Sequence, residues 1–222
     1  MMSEHETEES SKDELPFAGS SDQTPRLDLV ELDEADGGVS DIYNEILGTR
    51  DGEMDEEMSL NRMWMAFANE PDVLEVMWPH MRTSYRGGSL PFELKSKVSL
   101  VTATVWECEG CQFFHTDRLS KEGVDQDEIE RMRDREVERS AFSEREYVVL
   151  RFTEKMAEDP HSITDEDVEE LREIGLDDGQ IVELVDCIAL HVYTAFFQEA
   201  TGVVEKGMSI EDYLGSGDTT AE

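Results

Sequence analysis

The residues of this chain best suited to chemistry sit together in Cys108-Glu109-Gly110-Cys111-Gln112-Phe113-Phe114-His115, which holds two of the three cysteines and one of the five histidines. An α-helix advances about 100° per residue, so Cys108, Cys111 and His115 fall within roughly 60° of one another and share one face. Cysteines spaced as Cys-x-x-Cys are close enough for a short disulfide. A helix start offers unpaired N–H groups and a partial positive charge, which favour a thiolate over a thiol. Such a setting draws a cysteine below its free pKa of about 8.5. The histidine one turn on can take or return a proton. The constellation is that of a dithiol redox centre.

Three other uses of these residues compete. A closed zinc site wants four ligands, and the stretch supplies three. The fourth would have to be His80 or His191, and no second Cys-x-x-Cys exists. No metal is therefore expected. Two cysteines packed as small apolar residues would explain neither their spacing nor His115. A redox-shaped site without a catalytic cycle is the third and the strongest rival. Cys187 sits in an apolar helical stretch and reads as core. No flavin, haem or nucleotide motif is visible, so no cofactor is expected.

The elements that must hold this face are helical throughout. Apolar spacing predicts helices over Asp41 to Leu47, Ser59 to Asn69, Asp72 to Tyr85, Ser89 to about Trp106, then the Cys-x-x-Cys helix to Gly123. Pro79 falls inside the third of these, and Asp33 to Gly38 reads as a turn. A short charged helix follows over Asp125 to Arg135. Ser143 to Glu158 opens on a capping box, Asp165 to Ile174 is capped by the residues before it, and a last long helix runs from Asp177 to Ala200 with Gly202 behind it. The helix leading into Cys108 is apolar almost all round, through Leu94, Val98, Leu100, Val101, Ala103 and Val105, and should be buried. No strand pattern appears, so the fold class is all-α.

Composition narrows the setting. Lys and Arg number 19 against 55 Asp and Glu, a formal net charge of −36 in 222 residues. Phosphate repels such a surface, which excludes nucleic acid as a partner. The acids are spread along the chain, as on a surface kept hydrated in concentrated salt, and a halophilic host is the expectation. No leader peptide and no membrane-spanning run is read, so no membrane contact and a cytoplasmic location are expected. Residues 1–25 read as a disordered acidic tail, 26–204 as one helical domain and 205–222 as a polar tail.

A Leu-Pro-led buried helix running into Cys-x-x-Cys-x-x-x-His, then Leu119, Gly123, Phe142-Ser143-Glu144-Arg145-Glu146, Ile163 to Val168, Gly175-Leu176 and Gln180-Ile181, resembles the carboxymuconolactone decarboxylase and AhpD-like alkylhydroperoxidase family in its peroxidase-related, two-repeat form. The resemblance covers roughly 26–204. It implies an AhpD-like helical bundle with two helical repeats, a homo-oligomer (trimer or hexamer), a hydroperoxide substrate and a dithiol reductant. It also implies that Cys108 and Cys111 are the redox pair and that His115 belongs to the proton relay, with Cys111 the attacking thiol. Catalytic members carry a Glu twelve residues before the first cysteine; here that position is Ser96, and Glu93, one turn earlier, is the expected substitute. Gly110 stands where the family frequently has a ring. The function expected is a thiol-dependent peroxidase. The alternatives are a non-enzymatic redox sensor or oligomeric scaffold, and a carboxymuconolactone decarboxylase.

Overall fold

The 3.6-residue periodicity of the sequence sets the architecture. The computed structural model describes residues 25–48 and 60–203, and no strand occurs among them. The two expected tails, 1–25 apart from Pro25 and 205–222, lie outside the described residues. In chain order the helices are α1 (Gly37–Ile46), α2 (Arg62–Phe67), α3 (Pro71–Met81), α4 (Phe92–Val105), α5 (Glu109–Glu122), α6 (Gln126–Arg133), α7 (Glu144–Glu158), α8 (Asp165–Glu173) and α9 (Asp178–Thr201).

The ends of these helices follow their capping chemistry. Ser143 and Glu146 close a capping box on α7, Thr164 and Asp167 one on α8, and Asp177 and Gln180 one on α9. Gly123, at φ 85°, ends α5 in the left-handed region that favours glycine. Several boundaries differ from the sequence reading, two of them by four residues. The first helix begins at Gly37, inside the expected turn, with Asp36 in the N-cap position and no side-chain cap hydrogen bond. The third ends at Met81 and passes into a π turn over Arg82–Arg86. Pro79 lacks the N–H that an α-helix would use there, and the ladder changes period just beyond it. That wider turn buries Ser84 and Tyr85.

Helix α4 is the axle of the fold. Ten of its central residues in a row, Lys95 to Thr104, are buried, and it packs on α5, α7 and α9. Leu100, Leu150, Leu184 and Ile188 are fully buried in the core around it, each worth about 1.5–3 kcal/mol. A second core lies under α1–α3, with Tyr43, Trp64, Leu74 and Trp78 buried. Helix α9 is long and apolar enough to cross a bilayer by length and composition, a property the sequence reading did not assign to it. Its Ile181, Leu184, Cys187, Ile188 and Leu190 are instead buried against the other helices.

Candidate active site

The two cysteines are positioned by how α4 stops. Glu107 adopts φ 50°, and the Cys108 N–H reaches back to the Ala103 carbonyl at 3.0 Å. A non-glycine residue in that region costs on the order of 1 kcal/mol. The turn folds α5 back along α4 and leaves Cys108 as the N-cap of α5. Cys108 is joined to Cys111 as a disulfide, with the two Cα atoms 5.3 Å apart. Small side chains surround the pair: Ala103 of α4 and Ala195 of α9 complete its buried cluster. The Gln198 amide donates to the Cys111 Sγ at 3.2 Å. A donor aimed at that sulfur favours its thiolate in the reduced form. Both cysteines also lie in the first turn, where the helix dipole acts in the same direction.

His115 follows Cys111 by one turn and is 5% exposed. Its ring centre is 5.1 Å from that of His191, 6.0 Å from Tyr85 and 5.3 Å from Phe114. Burial first, then the neighbouring His191 and Arg118, hold His115 well below the usual imidazole range. Burial also draws His191 down to about 4, despite the Cys187 carbonyl that favours its charged form. That carbonyl lies 2.7 Å from His191 Nδ1. Because a carbonyl can only accept, Nδ1 carries the proton and Nε2 the lone pair. Both imidazoles are therefore neutral near pH 7.

Position 96 holds the other half of the site. Ser96 is fully buried, and its Oγ lies 3.1 Å from the Tyr85 hydroxyl and 3.5 Å from Glu122 Oε1. One turn on, Ser99 Oγ lies 3.4 Å from His191 Nδ1. Burial pushes the Tyr85 phenol up, against the lowering effect of its hydrogen bond with Ser96. Phe92 and Phe114 flank these groups and carry the Arg118 guanidinium over their rings at 5.4 and 5.6 Å.

Of the four residues singled out from sequence, three come together and one does not. Cys108, Cys111 and His115 share the buried face of α5. Glu93 lies elsewhere: its side chain is 54% exposed and pairs with Lys97 at 2.8 Å. Tyr85, Glu122 and Gln198 carry no assignment from sequence, and His191 enters there only as a candidate fourth zinc ligand. Glu122 carried one usable signal, since it recurs on the Cys111–His115 face. Tyr85 carried none, because the π turn that delivers it has no sequence period of its own. Cys187 is buried and free, with its thiol pushed up to about 12 by burial, consistent with the core role read for it. No group of three or more metal-ligating side chains occurs among the described residues.

Residues 71–155 match the model of the carboxymuconolactone decarboxylase family. That span holds α3 to α6 and most of α7, with Tyr85, Ser96, both cysteines, His115 and Glu122, but not the α9 residues His191 and Gln198. Among solved structures, the chain is similar to an uncharacterized peroxidase-related protein from Silicibacter sp. TM1040, at 21% identity and TM-score 0.69, covering 89% of this chain and 98% of that one. It is also similar to an alkylhydroperoxidase AhpD core protein, peroxidase-related, from Ralstonia eutropha JMP134, at 18% identity and TM-score 0.70, covering 87% and 97%. The debrominase Bmp8, solved with 2,3,4-tribromopyrrole, shares the fold at 13% identity and TM-score 0.65, covering 88% and 100%. No curated protein matches the chain significantly.

Proposed function

From a chain that belongs to the carboxymuconolactone decarboxylase family and has an AhpD-like fold, we propose a thiol-dependent peroxidase. The observation that carries this reading is the Cys108–Cys111 pair at the start of α5, with neutral His115 buried one turn on. Cys111 is the attacking thiol, because it is the sulfur that receives the Gln198 amide and stands one turn before His115. Its thiolate attacks one peroxide oxygen, the O–O bond breaks, and Cys111 becomes a sulfenic acid while an alkoxide departs and takes a proton. The Cys108 sulfur then attacks the Cys111 sulfur, the disulfide forms, and hydroxide leaves with the Cys108 proton as water. Two thiols and one hydroperoxide thus give a disulfide, an alcohol and water. A dithiol donor returns the pair to its reduced state.

The test is a thiol count on the full chain, kept in concentrated salt in view of its net charge of −36. One equivalent of hydroperoxide should remove two thiols, and a dithiol should restore both. Cys111→Ser should abolish turnover. Oxidation without a repeating cycle would favour the redox-sensor reading, and indifference to both cysteine substitutions would favour the decarboxylase.

A further inference from the structure

The two sulfurs of the Cys108–Cys111 pair are chemically alike but unequally partnered. Cys108 is the N-cap of α5, the position from which a side chain commonly accepts a first-turn N–H, yet it makes no such bond. Cys111, three residues on, receives the Gln198 amide at 3.2 Å. Gln198 is 6% exposed and belongs to α9, outside the residues that match the family model. The end of α9 that carries it is tied down. The Gln198 carbonyl accepts the Gly202 N–H at 2.8 Å, and the Arg26 guanidinium donates to the carbonyls of Glu199 and Ala200 at 2.6 and 3.1 Å. One turn before Gln198, Ala195 packs on the pair itself. The amide is thus held against one sulfur and not the other.

A disulfide sulfur accepts a hydrogen bond weakly, and a thiolate accepts one strongly. The bond from Gln198 therefore strengthens most when the S–S bond breaks and Cys111 takes the charge. In thiol–disulfide exchange the sulfur with the more stable thiolate leaves faster. Both cysteines are nearly enclosed, at 1% and 7% exposure, so exposure alone does not choose which one is attacked. The surface beside Cys108 does offer a footing. Trp106, two residues before it, and Phe196, next to Ala195, are both exposed and meet edge to face with ring centres 4.5 Å apart. An arriving donor finds apolar surface there.

We infer, on the reading that the cysteine pair cycles, that Gln198 makes Cys111 the departing sulfur when the disulfide is reduced, so that the dithiol donor is carried on Cys108. The first donor thiol gives its proton to water, and its sulfur bonds to the Cys108 sulfur. The Cys108–Cys111 bond breaks, and its electron pair leaves on Cys111 as a thiolate that accepts from the Gln198 N–H. The donor's second sulfur then closes on the first, and Cys108 departs with that second proton as a thiol. The donor is oxidised to a disulfide by two electrons. The pair gains those electrons and one proton, and water takes the other. Cys111 is thereby returned already ionised, the form that attacks peroxide. The neighbouring imidazoles, which burial keeps neutral, are not asked to hold its proton. One hydrogen bond from α9 serves both halves of the cycle.

The test needs no peroxide. The oxidised full chain, in concentrated salt, is treated with excess mercaptoethanol, an uncharged monothiol, then quenched with N-ethylmaleimide in denaturant and mapped by peptide mass. Mercaptoethanol should sit on Cys108 and maleimide on Cys111, about tenfold over the reverse arrangement. Gln198→Leu removes the donor at similar volume. It should bring the two arrangements toward parity and slow opening of the disulfide about tenfold. In the reduced chain the same variant should slow iodoacetamide alkylation at Cys111 and leave Cys108 at its wild-type rate. A merely loosened α9 would instead expose and speed both. Mercaptoethanol found on Cys111 in the wild type overturns the inference, and so does an unchanged partition in Gln198→Leu. If Gln198→Leu does not fold, the wild-type partition decides alone. A wild type with the adduct on Cys108 but no peroxide turnover sinks the peroxidase reading and leaves the departing sulfur assigned. Peroxide turnover with the adduct on Cys111 does the reverse.

Discussion

Three consecutive buried residues of α4 solve the same problem in two ways. Lys97 carries its charge into the core and is met by Glu93, Glu128 and Glu146 at 2.8, 2.6 and 2.5 Å. Lys95 is 1% exposed, pairs with Glu183, and donates to the Ser84 and Gly87 carbonyls at 2.9 and 2.5 Å. Ser96, between them, carries no charge and opens onto phenol, carboxylate and imidazoles. The lysines are joints: each binds α4 to other elements, Lys97 to α6 and α7 and Lys95 to α9. Burial disfavours the Lys97 ammonium, but the hydrogen bonds it donates to Glu128, Glu146 and Glu93 outweigh that and raise it above the usual lysine range. Charge stays where it is fully paired, and the groups that would move protons are kept neutral. The difference is one of satisfaction. His115 Nδ1 is buried without a hydrogen-bond partner among the described residues, whereas the lysines have several each.

The largest effect that would break this contrast lies at Lys97. Lys97→Met leaves three carboxylates facing an uncharged side chain, and unpairing a buried ion costs about 3–5 kcal/mol. Denaturant unfolding in concentrated salt should show that loss, while the alkylation profile of the pair stays as in the wild type. A shifted thiol profile would mean that joint and site are one electrostatic unit.

The next effect sharpens the contrast by pH. His191 binds a proton in the unfolded chain at about 6.5 and in the fold only at about 4. The unfolded state therefore holds more protons between those values, and stability falls as pH drops through that window, by on the order of 3 kcal/mol. His115 adds loss of the same sign. Below the usual 4.5 of a glutamate the joints take over. Burial raises Glu146 and Glu183, but bonds from Lys97 and Ser143, and from Lys95, Ser89 and Leu90, leave both lowered. Their contribution is present above that range and is lost as acid protonates them. Two successive losses should appear in unfolding free energy against pH, and His191→Asn should flatten the upper one alone.

A smaller effect concerns Gly88, which sits at φ +83° with a Cβ position 2.2 Å from a Glu183 carboxylate oxygen. That close approach lets Glu183 accept from the Ser89 and Leu90 N–H groups at 2.9 and 3.1 Å while it pairs with Lys95. Gly88→Ala must twist the turn or displace the carboxylate. A cost of about 1–3 kcal/mol in thermal unfolding is expected, with peroxide turnover nearly kept.

How much of this was legible beforehand depended on which physical signal each residue carried. Helix spacing gave every long helix and the shared face of Cys108, Cys111 and His115, because periodicity is local. The capping box at Ser143, the capping residues ahead of α8 and the Asp177 start of α9 were legible for the same reason, and the structure adds boxes at Thr164 and Asp177. Tyr85, His191 and Gln198 reach the site from the π turn and α9, and no local pattern announces a contact made across ninety residues. The α1 start at Gly37 was missed because two glycines read as a turn, and Asp36 before them, though of a type favoured at N-caps, makes no side-chain cap bond. At position 96 the sequence showed a serine where an acid was wanted, and the nearest acid on the same helix was the natural substitute. It could not show that α5, folded back along α4, brings a different acid to the same hydroxyl.

Glu93 and Glu122 therefore make the finest test of the comparison, and the smallest effect belongs to Glu93. Its side chain is more than half exposed and is one of three carboxylates on Lys97. Glu93→Gln leaves that lysine with two partners and the thiol site untouched. A carboxylate this exposed, on a buried lysine that keeps two other carboxylates, contributes about 0–1 kcal/mol, and less in concentrated salt. The expected result is a stability within that range of the wild type and an unaltered rate of peroxide-driven disulfide formation. Glu122→Gln, the same change made on the acid that accepts from Ser96, should alter that rate more than Glu93→Gln does. The reverse ranking, with Glu93→Gln slow and Glu122→Gln unimpaired, would return Glu93 to the relay. It would also require the exposed end of α4 to turn inward during the cycle, which would leave Lys97 less paired at each turnover.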